Sequence, residues 1–197
     1  MTNPQSEFEH ADCIFVTGSN TTEAHPITAI SIIKAVVENG ATLIVADPRR
    51  IELTRYATLH IRQRSGTDVA LFNAMINVII SEELGDDAFI QGRTEGVEAL
   101  KACVADCTPE WAEPITGIPA DKIREAARLY AKAERGSIAY SMGITQHTTG
   151  TDNVLALANL AMVTGNIGRP STGVNPLRGQ NNVQGACDLG ALPNKYP

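Results

Sequence analysis

CIFVTGSNTTEAHPITAISIIKAVVENGATLIVADP, residues 13–48, decides the fold of this chain. Its first five residues, CIFVT, are apolar or β-branched and precede a glycine, the pattern of a buried strand. ITAISIIKAVVENG, residues 27–40, places apolar side chains at helical spacing and ends at Gly40, a residue suited to a helix C-terminus. TLIVADP, residues 42–48, is a second buried strand. Strand, helix and strand make a βαβ unit of Rossmann size, whose right-handed crossover makes the strands parallel. Ligands of such sheets sit beyond the C-terminal strand ends. Both polar loops of this unit, GSNTTEAHP and ADPRR, lie at that end, and the arrangement suits a nucleotide.

The remaining chain extends the same plan. A short strand is expected around residues 59–62, then a glycine turn RSGTD, then a helix over 68–84 with Asp68 as its N-cap or first-turn acid. Residues 86–135 read as polar-faced helices, strongly amphipathic over 121–133, and form a helical insertion without chemistry of its own. SIAYSMGI, residues 137–144, reads as a third strand, and NVLALANLAMVTG as an apolar helix ended by Gly165. Glycine- and proline-rich loop is expected from there to the end. The expected fold is therefore α/β, Rossmann-like, with a mostly parallel sheet. Residues 1–10 are expected to be a disordered or appended tail, 11–170 the α/β region, and 171–197 a site-forming loop segment that leads towards a further domain.

Composition bounds the function. Hydrophobic content of 43% and charged content of 19% describe an ordinary globular chain. A net charge of −6 argues against binding nucleic acid through its phosphate backbone. No apolar run approaches the roughly 18 to 20 residues that span a bilayer. The start, MTNPQSEFEHAD, is polar and acidic, without the apolar core of a signal peptide, so a cytoplasmic location is expected. Cys13, Cys103, Cys107 and Cys187 form no disulfide framework and lack matching metal-ligand spacing. No metal ligands are assigned to this chain.

The candidate site residues stand at the strand ends. In the first loop Gly18 permits close backbone approach, and Ser19, Asn20, Thr21 and Thr22 offer short hydrogen-bonding side chains; the helix that follows presents free N–H groups to phosphate. The loop lacks the GxGxxG fingerprint, so a plain NAD site is unsupported. Glu23 and His25 read equally well as capping-turn residues. Asp47 stands where such folds place an acid on ribose hydroxyls, while Arg49 and Arg50 suit either phosphate or surface carboxylates. Met142 and Gly143 let a flat ring approach the backbone, with Gln146 able to read a polar ring edge. RGQNNVQGACDLG, residues 178–190, contains one arginine and four carboxamides, the latter within five positions, with little to build a helix or strand. Arg178 has a planar fork suited to a small carboxylate; the alternative is a structural salt bridge. Asn181, Asn182 and Gln184 suit holding that loop's own backbone.

GSNTTEAHP, VADPRR, RQRSGTD, CTPEW, ITGIPADKIREAARLYA, SMGITQHTTG and MVTGNIGRPSTGVNPLRGQNNVQGACDLGALP, in this order, resemble the molybdopterin oxidoreductase superfamily over residues 10 to 197. NPLRGQNNVQGACD narrows the resemblance to the catalytic subunit of formate dehydrogenases. It implies two molybdopterin guanine dinucleotides around one molybdenum or tungsten, plus a 4Fe-4S cluster. By this resemblance Gly18, Asn20, Glu23, Asp47, Arg49, Gly66 and Asp68 help hold the guanosine and phosphates of one dinucleotide. Met142, Gly143, Gln146 and Gln180 line its pterin side, and Arg178 anchors formate. The family's N-terminal cluster-binding cysteines, its metal-ligating cysteine or selenocysteine with the neighbouring histidine, and its C-terminal domain are not in this sequence. The chain therefore reads as a central fragment, inactive alone, whose partners are formate, the remainder of the catalytic subunit and electron-transfer subunits. The alternatives are a relative acting on another small anion, or a non-catalytic nucleotide-binding scaffold.

Overall fold

The structure, a computed structural model, describes residues 1–192. Five parallel strands form one sheet: β1 (Cys13–Thr17), β2 (Thr42–Ala46), β3 (Leu59–Ile61), β4 (Gly136–Tyr140) and β5 (Gly173–Pro176), in the order β3-β2-β1-β4-β5. The order reverses beside β1. From there the chain steps outward through β2 to β3, then returns through β4 on the other side. This reversal parts the loops that follow β1 and β4 and opens a crevice between them, where doubly wound sheets bind ligands.

Period-2 alternation of the strand side chains builds a core on each face of the sheet. Ile14 and Val16 of β1, Leu43 and Val45 of β2, and Ala139 of β4 face one layer. That layer holds helix α1 (Thr21–Ala24), helix α2 (Pro26–Asn39) and a 3-10 turn at Gln5–His10. Cys13, Phe15, Ile44, Ala46, Ile138 and Tyr140 face the other. There the covering helices are α3 (Asp68–Ser81), α4 (Asp87–Arg93), α5 (Val97–Val104), α6 (Pro109–Thr116), α7 (Ala120–Ala131), α8 (Met142–Thr145) and α9 (Gly150–Val163). Phe15 sits at the centre, its ring 6.1 Å from Phe72 of α3 and 6.3 Å from Tyr130 of α7. Edge-to-face and tilted contacts of this kind add to area burial.

Several expectations from sequence are corrected. The expected tail, residues 1–10, packs onto the sheet: Phe8 is buried in the α2-side core, and the Thr2 hydroxyl accepts from the Val174 amide at 3.0 Å. The Glu7 carboxylate accepts from the Ser171 amide, and these bonds tie the segment to β5. The expected strand over 137–144 ends at Tyr140, because the chain turns at Ser141 into α8. The apolar Ile144 in that stretch is buried by a helix, not a strand. The expected closing loop contains β5, paired in parallel with β4, and helix α10 (Val183–Asp188). Residues 86–135 are helical as expected, and α6 and α7 pack into the core. Ala112, Ile123, Ala126, Ala127 and Tyr130 are buried in the core against α3. Of the expected segment 171–197, residues 193–197 lie outside the described residues.

No helix among the described residues is long and apolar enough to cross a membrane.

Burial of Phe8 makes the first ten residues part of the fold. Phe8→Ala is expected to cost about 3 kcal/mol in denaturant unfolding, as large-to-small core substitutions do. A loss well below about 1 kcal/mol would mean that the segment does not pack.

Candidate functional site

Two glycines form the floor of the crevice. Gly18 follows β1 at φ +56, and Gly143 lies in α8, just after β4. The Gly143 amide donates to the Gly18 carbonyl at 3.0 Å, so the two backbones are in contact. A Cβ on Gly18 would lie 2.7 Å from the Gly143 carbonyl carbon, and one on Gly143 would meet Gly18 as closely. Only glycines allow this approach without displacing a strand end.

Above this floor lies a cavity of about 400 Å3, lined by Gly18, Asn20, Asp47, Arg49, Asp68, Met142 and Gly143. These are seven of the twelve candidate site residues named from sequence. Ser19, Ala24, Pro48, Gln63, Ser65, Ser141 and His147 complete the lining. Glu23, Gly66, Gln146, Gln180 and Arg178 do not line it. Glu23 is exposed on α1. Gly66, at φ +82, forms the turn between β3 and α3 that delivers Asp68. The α2 N-terminus is not in the lining either: α2 starts with Pro26, which has no N–H to offer a phosphate. The helix beside the cavity is the short α1, through Ala24.

The electrostatics of the cavity are dominated by buried acceptors. Asp47 is only 3% exposed; its Oδ1 accepts from the Arg49 amide at 2.8 Å and lies 3.6 Å from Arg49 Nε. The Arg49 side chain itself is largely exposed, at the rim. Asp68 is 4% exposed in the first turn of α3. Burial raises its pKa above the ordinary carboxylate value, against the Gln63 hydrogen bond and the charge of His147, while Asp47 pushes it further up. Gln63 donates through Nε2 to the Ala46 carbonyl at 3.2 Å and to Asp68 Oδ1 at 3.1 Å. Its Oε1 is buried with no hydrogen-bond partner. An orphaned buried acceptor of this kind costs free energy unless something donates to it.

Gln63 and His147 were not singled out from sequence. Each stands within a few residues of a strand's C-terminal end, and that position was the available signal.

Beside the cavity, residues 177–179 are held by three different elements. The Leu177 amide donates to the Tyr140 carbonyl at 2.7 Å, and Ser141 Oγ donates to the Leu177 carbonyl at 2.7 Å. The Arg178 carbonyl accepts from His25 Nε2 at 2.6 Å. Gly179 lies against Met142, so that an added Cβ would come 2.5 Å from the Met142 methyl. Met142 Sδ also accepts from Gln146 and Gln180, each at 3.5 Å, which places both carboxamides next to the cavity lining. The Arg178 guanidinium is exposed, and its Nη2 donates to Gln184 Oε1 at 3.0 Å; no carboxylate within salt-bridge distance pairs with it among the described residues. Its charge opposes the effect of burial on the Tyr140 phenol, whose pKa is nevertheless raised. Among the described residues no cluster of three or more His, Cys, Asp or Glu side chains could hold a metal ion.

The sheet order and the crevice define an α/β protein of the doubly wound class. The comparisons make the class specific. The family model described as molybdopterin oxidoreductase matches residues 1–197, and the chain belongs to this family. It is 55% identical over its whole length to the F420-dependent formate dehydrogenase subunit alpha of Methanocaldococcus jannaschii, and 51% identical to formate dehydrogenase H of Escherichia coli. The chain spans 29% and 27% of those two proteins. Among solved structures, acetylene hydratase from Pelobacter acetylenicus matches 82% of this chain and 24% of its own, at a TM-score of 0.74 and 29% identity. Family membership implies a molybdopterin cofactor carrying molybdenum or tungsten.

The cavity fits the polar end of such a cofactor. Two buried carboxylates and an orphaned amide oxygen favour a guest rich in N–H and O–H donors, and the paired glycines admit a flat ring. The same carboxylates would repel a bare anion placed deep in the cavity, which leaves the rim beside Arg49 for phosphate.

The raised pKa of Asp68 has a stability consequence of definite sign. The folded chain holds this proton more tightly than the unfolded chain, so stability falls as pH rises through and above the ordinary carboxylate range. Asp68→Asn removes the buried charge and keeps an acceptor for Gln63. It is expected to raise Tm at neutral pH, and the gain should shrink as pH falls to where Asp68 is protonated in both states. Thermal unfolding against pH measures this; a lower Tm for D68N at neutral pH would contradict it.

Proposed function

We propose that this chain is the cofactor-binding central region of a molybdenum- or tungsten-dependent formate dehydrogenase. The cavity at the β1/β4 crevice takes the nucleotide end of one molybdopterin guanine dinucleotide. Asp47, at the end of β2, accepts from ribose hydroxyls, and Asp68 with Gln63 Oε1 accepts from the N–H edge of guanine. A carboxylate pairs well with the two adjacent donors that guanine presents, and a buried site that satisfies them discriminates strongly against a base lacking them. Arg49 meets phosphate at the rim. Gly18 and Gly143 admit the flat part of the guest, with Met142, Gln146 and Gln180 towards the pterin.

When bound, the cofactor supplies the acceptor for the two electrons that leave formate as it becomes CO2 and a proton. The contribution of this chain to that reaction is Arg178. Its guanidinium, held by one neutral bond to Gln184, can exchange that bond for a charge-assisted, bidentate grip on the formate carboxylate. The observation that carries the reading is this unpaired arginine on a backbone clamped beside the cavity lining, within a chain more than half identical to two formate dehydrogenase polypeptides. The fold alone does not choose the substrate, since a protein titled acetylene hydratase shares it. The metal ligands, a 4Fe-4S cluster and the electron-transfer partners lie elsewhere in this proposal, and the 197-residue chain alone does not turn over formate.

In the complete catalytic polypeptide carrying this region, Arg178→Ala is expected to lower kcat/KM for formate by about 100-fold, the size of a lost charge-assisted pair, with metal content unchanged. Steady-state kinetics beside metal analysis test this. An unaltered kcat/KM would remove Arg178 from the substrate site.

A further inference from the structure

We infer that His25 is a positioning residue for the Arg178 loop: it acts as a latch that holds the loop's backbone beside the cavity. The inference rests on the reading of Arg178 as the formate anchor for its consequence in catalysis, but the latch itself rests on geometry alone.

His25 lies at the junction of α1 and α2, and its own backbone is fixed from both sides. Its amide donates to the Thr21 carbonyl at 2.9 Å, and its carbonyl accepts from the Ala29 amide at 3.0 Å. Pro26 follows, which disfavours helical backbone at His25, and the observed φ −140, ψ 61 lies outside the helical region. From this fixed stem the ring reaches across 153 positions of sequence to the Arg178 carbonyl, with Nε2 at 2.6 Å from the oxygen. A carbonyl can only accept, so Nε2 carries the hydrogen. Nδ1 is buried and has no partner, so the ring has one polar contact to make, and it makes it to the loop.

The bond falls where the loop otherwise lacks an anchor. Leu177 is secured through both of its backbone groups, by Tyr140 at the end of β4 and by Ser141 just beyond it, and Gly179 rests on Met142. Between them, among the described residues, the Arg178 carbonyl has His25 as its one partner. Releasing it would let the peptide plane between Arg178 and Gly179 rotate, and the direction in which the guanidinium leaves the backbone would change with it. The side chains of Arg178, Gln180, Asn181 and Asn182 are exposed, so the segment is held by backbone bonds and by the contacts to Met142 and Gln184, none of which reaches the Arg178 carbonyl.

The bond lies on the peptide that trypsin would cut, after Arg178, and this gives a test independent of catalysis. In the 197-residue chain, His25→Ala is expected to speed tryptic cleavage at Arg178–Gly179 by roughly three- to tenfold, the worth of one hydrogen bond when cleavage samples the open loop. Cleavage after Lys101 in α5 serves as the internal reference and should not change. His25→Gln places an amide N–H near the position of Nε2 and should restore slow cleavage. If His25→Ala unfolds the chain, cleavage rises at Lys101 as well, and His25→Gln then decides: protection at Arg178 sustains the latch, and unprotected cleavage there overturns it. Equal cleavage of wild type and His25→Ala at Arg178 also overturns it. In the complete, metal-loaded polypeptide, His25→Ala should raise KM for formate several-fold with kcat nearly kept, and His25→Gln should recover the KM. A fall in kcat with unchanged KM would contradict positioning. If Arg178→Ala leaves formate kinetics untouched while the tryptic result holds, the formate reading fails and the latch stands.

Discussion

One backbone contact, the Gly143 amide on the Gly18 carbonyl, sets the geometry of the whole site. It joins the ends of β1 and β4, the neighbours at which the strand order reverses. Because both partners are glycines, the two loops meet with no side chain between them, and the space above the contact stays open. Asp47 from the end of β2, Gln63 and Asp68 from beyond β3, and Met142 and His147 from beyond β4 then face a common volume. These residues come from three separate stretches of the sequence. Their convergence follows from parallel strands in register, which places every C-terminal end at one edge of the sheet.

The buried acceptors carry a desolvation cost that a donor-rich ligand would offset. Asp68 resists ionisation because it is desolvated, and Gln63 leaves one oxygen without a donor. A chain selected for stability alone would place apolar or neutral groups there. Retaining carboxylates in such a pocket fits a guest whose N–H and O–H groups replace the lost water. In the proposed reading the same logic separates the two ends of the site: carboxylates in the cavity for donors, and Arg178 beside it, without a carboxylate partner among the described residues, for an anion.

The strands β1, β2 and β4 were legible because their β-branched and apolar runs are buried on both faces, and this requirement writes itself into composition. Strand β5 was not, since GVNP contains glycine and proline and owes its conformation to pairing with β4 at the sheet edge. Helix α10 was missed for a related reason: VQGACD has no apolar face, and none of its residues is buried. The packed N-terminus rests largely on Phe8, one aromatic among ten residues, which no periodicity could reveal. At the site, Asp47 and Asp68 could be found from their places at a strand end and a helix start. Gln63 and His147 carry no motif of their own, and their bonds to Asp68 and Gly143 are local; the role of His25 was not legible, because its bond to the Arg178 carbonyl joins residues brought near only by the fold.

Hydrogen exchange of the 197-residue chain, with and without guanosine 5′-diphosphate, tests most directly whether the β1/β4 crevice is the nucleotide site. Slower exchange in the backbone of residues 18–24, 47–49, 63–68 and 141–147, with residues 90–100 of the distant helices unchanged, is the predicted result. Unaltered exchange in those four segments at millimolar nucleotide, or protection confined to other parts of the chain, would contradict it.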